Sequence, residues 1–379
     1  MRIVVFPYDP NPYESLLYDA MRRHDITAEY IRPLPIIDTL HFPVAAVLHR
    51  LRGCRILHIH WPSFYLPLRV PKRELVSWYI ARLDIFIIRA LRYRLVWTVH
   101  NVLPHEPMTS DDADIARRLS DAADAKIVLS RSTMTELARL SLDTTNVHVI
   151  PHGNYLPSFP ERPTRHDARL KLKLGDSEFV VLFFGSVRPY KGIDGLLAAA
   201  SSAGIPGIRV VVAGLCNDKA LAARIARAQT SGRVDFHNRF IPPSEVPVFF
   251  GAADVVCLPF TSVTNSGSAL LALSSGKPLV APRMGALCDL PDDVGLFYDP
   301  ADPGGLAGRL KAAADSENLD AVADRALAYA ASLSWDAIGE QTAAVFRALS
   351  ERRDGASVSR SPLARFARRG GSWRRRSRR

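Results

Sequence analysis

The chain has 379 residues, of which 47% are hydrophobic and 23% charged, so its composition is that of a folded protein and excludes a largely disordered one. Because a single hydrophobic core rarely grows to this size, two domains are expected. The formal net charge is +11, but eleven arginines against two acidic residues lie in 351–379, so the preceding part is close to neutral.

Short β-branched runs, each followed by a turn and a helical stretch, recur along the chain and predict parallel sheets covered by helices. In the first half the predicted strands are 3–6, 56–59, 95–99, 126–129 and 147–150. In the second half they are 179–184, 209–213, 234–236, 255–258 and 279–281. Two such series in succession predict two Rossmann-like, doubly wound α/β domains.

The proline-rich segment 151–165 separates the two series and is expected to be a hinge, which gives predicted domains 1–155 and 166–334. An amphipathic helix is predicted over 335–350, packing back toward the first domain. Its apolar stripe consists of Trp335, Ile338, Ala343, Val345, Phe346 and Leu349. Ligands of such sheets bind beyond the carboxyl ends of the strands, so a ligand cleft is expected beside the hinge.

Residues 73–94 combine tryptophan, tyrosine, phenylalanine and isoleucine with several arginines. This mixture suits the interface between a membrane and water, where apolar side chains enter the lipid and basic groups stay at the headgroups. A core helix with a basic solvent face has the same composition. Both interpretations remain open at this point.

A loop with two cations follows the strand predicted at 179–184 and leads into a helix. It runs from Gly185 through Arg188 and Lys191 to Gly192. Loop amides, a helix terminus and cationic side chains converge in such an arrangement, which suits a diphosphate. Gly185, Arg188 and Lys191 are therefore predicted to bind the phosphates of a donor, although a basic turn without a ligand has the same spacing.

A second helix start, Asn265-Ser266-Gly267-Ser268, lies further along the same domain. Serine caps a helix, and the adjacent glycine lets a ligand approach free backbone N–H groups. These four residues are predicted to complete the donor site. Such a segment is more often an ordinary helix cap. It indicates a ligand site here because the 185–192 loop lies in the same domain.

The four cysteines, Cys54, Cys216, Cys257 and Cys288, are far apart, which indicates neither a disulfide framework nor a zinc site and fits a reducing compartment. No signal-peptide core and no transmembrane helix are recognised, so a cytoplasmic location is expected. The arginine-rich segment 351–379 is predicted to be disordered. It could attract anionic lipids at the inner face of the plasma membrane, serve as a solubilising tail, or bind nucleic acid; a nucleic-acid partner is not expected.

The motifs in this order resemble the glycosyltransferases of the B fold, and in particular the family 4 enzymes that build bacterial surface glycans. FFGSVRPYKG is similar to their G-x-x-x-x-x-K-G loop, IPHGN to their I-P-N-G turn, and SGSALLALSSGKPLVAP to their donor-binding segment. The resemblance covers about residues 1–350. It implies a nucleoside diphosphate sugar as donor, no cofactor, and two domains that face each other across a cleft.

The resemblance also assigns roles in the first domain. His100 matches the family's strand-end histidine and is the first catalytic candidate, with Glu106 as the carboxylate that acts as a base or orients a group. His60, beside Trp61, and Asn101 are expected on the acceptor surface. Asn11 and Tyr13 replace the family's glycine-rich first loop and are candidates for sugar contact, or a turn and helix cap. His58 is expected to be a strand residue satisfied by backbone.

Two departures from the family's motifs limit which residue roles can be assigned to this chain by resemblance. Ser186 stands where many members have arginine, so Arg188 is the expected substitute. Val263 and Leu271 stand where the family has the two glutamates of its E-x7-E motif, so retention of configuration is not assumed and the stereochemical outcome stays open. The D-x-D match at Asp112–Asp114 is interpreted as a helix start, and no metal site is predicted.

The expected function is transfer of a hexose from a GDP- or UDP-linked sugar to a glycan or polyprenyl-linked acceptor in surface polysaccharide or glycolipid synthesis. Metal-independent catalysis is expected, because cations and helix amides stabilise the leaving diphosphate. The alternative is a non-catalytic nucleotide-sugar-binding or assembly protein that has lost the E-x7-E motif.

Overall fold

The computed structural model describes residues 1–9, 12–31, 38–61, 74–104, 112–159 and 161–351, without the side chains of 38–41 and 74–81. This part of the chain contains two six-stranded sheets in which every strand pair is parallel. Helices cover both faces of each sheet, with a separate core cluster on each face. The expected fold class, two doubly wound α/β domains, is confirmed.

The first sheet has the strand order β2-β1-β3-β4-β5-β6. Its strands are β1 (Arg2–Phe6), β2 (Thr27–Tyr30), β3 (Ile56–Ile59), β4 (Arg94–Val99), β5 (Ala125–Val128) and β6 (Val147–Val149). Its helices are α1 (Pro12–Arg22), α2 (Asp38–Leu51), α3 (Glu74–Ala90), α4 (Asp112–Ala122) and α5 (Arg131–Arg139). The core clusters place α2, α3, α4 and α5 on one face and α1 on the other.

The second sheet has the order β12-β11-β10-β7-β8-β9. Its strands are β7 (Phe179–Phe184), β8 (Ile208–Ala213), β9 (Val234–His237), β10 (Val255–Cys257), β11 (Leu279–Pro282) and β12 (Gly295–Tyr298). The helices of this half are α6 (Arg165–Leu172), α7 (Ile193–Ser202), α8 (Lys219–Gln229), α9 (Val246–Ala252), α10 (Gly267–Ser274), α11 (Gly305–Ala314), α12 (Leu319–Ser332) and α13 (Trp335–Glu351).

The sequence patterns missed two strands, β2 and β12, and both are edge strands. None of the four β2 residues is fully buried, and only one of the four in β12 is. An edge strand is covered less completely than a central one, so it carries a weaker apolar signal. The ten strands that were predicted are all present, with shifts of one residue at some ends.

The last helix, α13, follows the second domain in sequence but packs on the first. The six residues of its predicted stripe are all buried, and all six belong to the core cluster that contains α1 and β1. At the hinge the indole Nε1 of Trp335 donates to the carbonyl of Asn154 over 2.7 Å, and the Asn154 amide donates to Leu333. A Cβ on Gly153 would lie 2.4 Å from the Trp335 ring. The segment that leads from the first domain to the second is therefore in direct contact with the segment that leads back.

Candidate active site

The loop after β7 has a backbone that only glycine adopts easily at its two ends. Gly185 has φ +115° and Gly192 has φ +73°. At Gly192 a Cβ would come 1.8 Å from the carbonyl oxygen of Pro259, which excludes any side chain without backbone movement. Residues Pro189–Lys191 form a single 3-10 turn between these glycines, and α7 starts directly afterwards. The loop is thus held against the end of β10.

Lys191 and Ser268 meet over Gly185, although 77 positions of sequence numbering separate them. A Cβ built on Gly185 would lie 3.4 Å from the Lys191 Nζ and 3.4 Å from the Ser268 Oγ. The absent side chain leaves that space open between a cation and the first turn of α10. The loop and the second helix start, which were predicted to form one donor site, therefore lie side by side.

Burial, and secondly the charge of Arg188, lowers the pKa of the Lys191 ammonium to about 8. The Lys191 Nζ also lies 6.0 Å from the centre of the Phe260 ring. Arg188 precedes the 3-10 turn and is exposed. The charge of Arg188 disfavours the protonated form of Lys191, and an anion placed beside Lys191 would relieve that repulsion.

The residues at the start of α10 make different interactions. The Ser266 hydroxyl accepts from the Ala269 amide over 3.1 Å, so Ser266 is an N-cap in the ordinary sense. The N–H groups of Gly267 and Ser268 occupy the first turn, where no intrahelical acceptor exists. The Asn265 side chain points to the other domain, where its Nδ2 donates to the carbonyl of His100 over 2.6 Å. This amide group links the two domains, and the assignment of Asn265 to donor binding stays a prediction.

His100 ends a continuous chain of buried side-chain hydrogen bonds. Thr98 Oγ1 and His58 Nε2 lie 2.7 Å apart, and the Tyr18 hydroxyl lies 2.7 Å from both His58 Nδ1 and His60 Nε2. His60 Nδ1 then contacts His100 Nε2 over 3.1 Å. Burial lowers the pKa of His58 to about 3 and holds the pKa values of His60 and His100 well below 6.5, so the three imidazoles are neutral near pH 7.

Neutral imidazoles and hydroxyls can satisfy this chain in two opposite directions. When every donor is oriented from Thr98 toward His100, His100 Nε2 accepts and its proton is on Nδ1. When every donor is reversed, His100 Nε2 donates and Nδ1 carries a lone pair. The first arrangement makes His100 Nδ1 a hydrogen-bond donor, and the second makes it a base. Both roles considered for His100 are thus compatible with the same fold.

The structure changes the role expected for two histidines and a tyrosine. His60 is fully buried behind His100, so the prediction that it forms the acceptor surface is wrong, and it contacts His100 instead. His58 is satisfied by the side chains of Tyr18 and Thr98 and not by backbone. Tyr13 is 3% exposed and its ring stands edge-on to His100 at 4.9 Å, so it supports the histidine and is not available as an open sugar contact.

Other predicted residues are placed differently. Trp61 stacks on His100, with ring centres 4.1 Å apart and planes 16° apart. Asn101 follows His100 and is partly exposed at the end of β4. The predictions for Asn11 and Glu106 lie outside the described residues.

His152 and Tyr155 form a pair at the hinge that the sequence patterns did not single out. His152 Nδ1 donates to the carbonyl of Gly153 over 2.6 Å, which leaves His152 Nε2 as the acceptor for the Tyr155 hydroxyl at 3.3 Å. A Cβ on Gly267 would lie 3.1 Å from that hydroxyl, so Tyr155 borders the start of α10. The IPHGNY turn contains the signal, but the sequence analysis interprets it as a hinge and a family motif and assigns no role to His152 or Tyr155.

Glu14 was also missed. It is 2% exposed, its Oε1 has no hydrogen-bond partner, and burial raises its pKa to about 8. It stands one helical turn before Tyr18 in α1, and its Oε2 accepts from the Asp9 amide over 3.4 Å. A buried, protonatable carboxyl beside the first loop is a second candidate for acid–base work, in addition to the histidine chain.

The carboxylate positions of the family motif are apolar and packed. Val263 and Leu271 are partly buried against the core cluster of the second domain. Asp112 and Asp114 lie in the first turn of α4, and Asp114 pairs with Arg118 at 2.6 Å, as expected of a helix start. Among the described residues one group of three metal-ligating side chains, Glu29, His49 and Cys54, has ligand atoms within 4.8 Å of one another. Cys54 precedes β3, so this group is not at the strand ends that carry His100.

Residues 178–316 match the profile of the family described as Glycosyl transferases group 1. This match includes the loop with Gly185 and Lys191 and the start of α10. This part of the chain is similar to the group 1 glycosyltransferases. No helix in the described part of the chain has the length and apolar character needed to cross a bilayer.

Known proteins resemble most of the chain. It is 29% identical over 274 residues to a D-inositol 3-phosphate glycosyltransferase of Segniliparus rotundus, covering 67% of this chain and 61% of the relative's length. It is 26% identical to a GDP-mannose:glycolipid 4-beta-D-mannosyltransferase of Xanthomonas campestris pv. campestris, covering 75% and 73%. The fold matches Anabaena Alr3699/HepE in complex with UDP-glucose, with a TM-score of 0.69, 19% identity, and coverage of 92% and 99%. The B fold of the group 1 enzymes is therefore the fold of this chain.

Proposed function

We propose that this protein transfers a hexose from a GDP- or UDP-linked sugar to a hydroxyl of a glycan or lipid-linked glycan. The observation that carries the proposal is the meeting of Lys191 Nζ and Ser268 Oγ over Gly185. A diphosphate in that space accepts hydrogen bonds from the α10 amides and neutralises the adjacent cations. These are the two interactions that a departing nucleoside diphosphate needs.

The proposed leaving-group chemistry uses protein groups throughout. As the bond between sugar and phosphate breaks, negative charge grows on the diphosphate. Lys191, Arg188 and the N–H groups of Gly267 and Ser268 stabilise that charge without moving, because the loop glycines and the Ser266 cap fix their positions. Removing one such preorganised donor typically costs about 3–4 kcal/mol of transition-state stabilisation.

On the acceptor side we propose that His100 contacts the reacting sugar or the acceptor hydroxyl. With a lone pair on Nδ1 it would remove the hydroxyl proton, as inversion of configuration requires; with a proton there it would hold a sugar hydroxyl, as in retention. The anomeric configuration of the product, measured by NMR, separates the two.

The proposed classes of donor and acceptor are supported by the phosphate-binding groups and by the names of similar proteins. One relative is named for GDP-mannose and a glycolipid, and the HepE structure holds UDP-glucose. We propose a nucleoside diphosphate hexose as donor and a lipid-linked glycan in surface polysaccharide or glycolipid synthesis as acceptor, with the protein peripheral at the cytoplasmic membrane face. Metal-independent catalysis is part of the proposal.

The test starts with thermal stabilisation by UDP, GDP and their hexose derivatives, since a ligand at 100 times its dissociation constant adds about 2.7 kcal/mol of stability. With the donor found, we expect Lys191→Ala to lower kcat/KM for transfer by on the order of 10²–10³-fold. Lys171→Ala, at an exposed position on α6, is the matched control and should leave activity unchanged.

The two candidate functions predict different results. A non-catalytic nucleotide-sugar-binding protein would be stabilised by the donor, with Lys191→Ala abolishing that stabilisation, yet it would release no nucleoside diphosphate with any acceptor. If Lys191→Ala and Lys171→Ala bind donor equally well, the phosphate-binding role of Lys191 is wrong.

A further inference from the structure

Three side chains that can bind a metal ion meet at the edge of the first sheet. Glu29 is in the edge strand β2, His49 is in the last turn of α2, and Cys54 comes just before β3. A carboxylate oxygen, an imidazole nitrogen and the thiol sulfur of these residues all lie within 4.8 Å of one another. Carboxylate, imidazole and thiolate are the three ligand types that Zn²⁺ takes in proteins.

The backbone fixes the separation of His49 and Cys54. The helix α2 ends in a Schellman turn, in which the Cys54 N–H donates to the His49 carbonyl over 3.1 Å. The Gly53 N–H donates to the Arg50 carbonyl over 3.1 Å, and Gly53 has φ +91°, the left-handed conformation that this turn needs. Glu29 is held from the other side, because β2 pairs with β1. All three side chains therefore stand on ordered backbone.

The distances between the ligand atoms fit a small ion after side-chain rotation. His49 Nδ1 and Glu29 Oε2 are 2.8 Å apart. In a tetrahedral site with Zn–S of about 2.3 Å and Zn–N and Zn–O of about 2.0–2.2 Å, the ligand atoms lie roughly 3.4–3.6 Å from one another. The imidazole and the carboxylate would move slightly apart, and no pair of ligand atoms would change its separation by more than roughly 1.4 Å.

The charge and the surroundings of the group also suit a divalent cation. A thiolate and a carboxylate together carry the two negative charges that such an ion neutralises. Arg2 Nη1 lies 3.4 Å from Glu29 Oε1, which leaves Oε2 on the side of His49. Ligating carboxylates are commonly oriented by an outer hydrogen bond of this kind. Cys54 is buried, whereas the side chains of Glu29 and His49 are 23% and 13% exposed, so an ion and a water ligand can enter from their side.

We propose that Glu29, His49 and Cys54 bind one divalent transition-metal ion, with Zn²⁺ as the preferred ion and water as the fourth ligand. On binding, the thiol proton leaves to solvent, and the imidazole proton moves from Nδ1 to Nε2 so that Nδ1 contacts the ion. Because the three ligands come together only in the folded chain, the ion stabilises the fold and joins the edge strand β2 to the end of α2.

This site goes beyond the proposed transfer reaction and is separate from it. Cys54 precedes β3, whereas His60, which contacts His100, follows the other end of that strand. The ion is therefore remote from the groups proposed to act on the sugar. The cysteine spacing along the chain does not indicate the site, because each ligand comes from a different element of the fold.

The test is metal binding by the full-length protein after treatment with EDTA and under a phosphine reductant. Co²⁺ is the probe, because a bound thiolate gives a charge-transfer band in the near ultraviolet. We expect one Co²⁺ per chain, displaced by Zn²⁺. Cys54→Ser should lose the charge-transfer band, and His49→Gln should bind the ion at least about tenfold more weakly. The matched controls, Cys288→Ser and His166→Gln, change an exposed cysteine and an exposed histidine and should behave as the wild type.

A second measurement does not require the buried Cys54 to be changed. One equivalent of Zn²⁺ should raise the Tm of the wild-type protein, EDTA should reverse the rise, and Glu29→Gln, at a partly exposed position, should lose it. A wild-type protein that neither binds Co²⁺ nor gains Tm with Zn²⁺ would overturn the proposal. So would a charge-transfer band that persists in Cys54→Ser, because the ion would then be on another thiol. Stabilisation by UDP or GDP is measured in EDTA, so it tests the transferase proposal independently of this site.

Discussion

The two sides of the site use opposite electrostatics. The first domain presents His100 at the end of a chain of neutral, fully buried side chains. The second presents Lys191 and Arg188 on a short loop, where burial, and secondly the charge of Arg188, lowers the pKa of Lys191. A neutral imidazole can accept or donate a proton, whereas a cation can stabilise a leaving anion. In the proposed reaction, the first domain would therefore transfer protons and the second would stabilise charge.

The separation is incomplete at one point. Asn265 belongs to the donor side, yet its amide donates to the backbone of His100. The residue next to the Ser266 cap thus fixes the strand end that carries the histidine. Substitutions in the first domain are expected to change mainly kcat, and substitutions in the second are expected to change mainly the binding of the donor. Three experiments test this separation.

The largest effect is expected at His100. His100→Ala should lower kcat by on the order of 10²–10⁴-fold, the range for loss of a general acid or base, while affinity for the nucleoside diphosphate stays unchanged. Steady-state kinetics and calorimetric titration measure the two quantities. His100→Gln keeps a hydrogen-bond donor but supplies no base, so partial recovery of kcat would assign the orienting role. His166→Ala, at an exposed position, is the control. A matching loss of nucleotide affinity in His100→Ala would contradict the separation.

Tyr18→Phe should produce a smaller effect, on stability. The substitution leaves His58 Nδ1 and His60 Nε2 without their partner in a buried site, and an unsatisfied buried polar group costs about 1–3 kcal/mol. Urea unfolding measures the loss. The half-buried Tyr329→Phe in the second domain is the comparison and should cost less. Unchanged stability in Tyr18→Phe would show that the hydrogen-bond chain is not formed in solution. The pH profile of kcat should also shift, because the hydrogen bond between His60 and His100 is then no longer coupled to the one between His58 and Thr98.

The smallest effect is the pH dependence of donor binding. The folded, ligand-free pKa of Lys191 is about 8, lowered from 10.5, and a bound diphosphate favours the protonated form and raises it. Affinity for UDP or GDP is therefore expected to be constant below pH 8 and to fall above it, at most about tenfold per pH unit, until the pKa of the complex is reached. Titration calorimetry from pH 7 to pH 10 measures this. Lys191→Ala should bind weakly with no such slope; a slope that survives the substitution would assign the pKa to another group.

The donor side could be predicted from sequence because its parts are local. A strand, a glycine-bounded loop with a lysine, and a capped helix each leave a short signal in the sequence. The order of these motifs matches that of the family, which predicted that Gly185 and Ser268 belong to one site. On the acceptor side, the sequence predicted only that the histidines lie at the ends of strands. His58 and His60 are two residues apart and so share one face of β3, but their partner Tyr18 comes from α1, and no pattern in the sequence specifies that pairing. The two missed strands, β2 and β12, are four-residue strands at sheet edges, and at most one residue of each is fully buried.

The position of α13 decides how the molecule can be divided. Trp335 and Phe346 pack in the first domain although the chain reaches them only after completing the second, so the first domain is built from two separate stretches of sequence. A gene ending at residue 334 would deprive α1 of its covering helix and expose core residues such as Ala20, whose Cβ lies 2.8 Å from the place a Cβ on Gly339 would take. Independent production of the first half therefore requires residues 335–351 to be supplied with it, either fused behind residue 153 or added as a peptide.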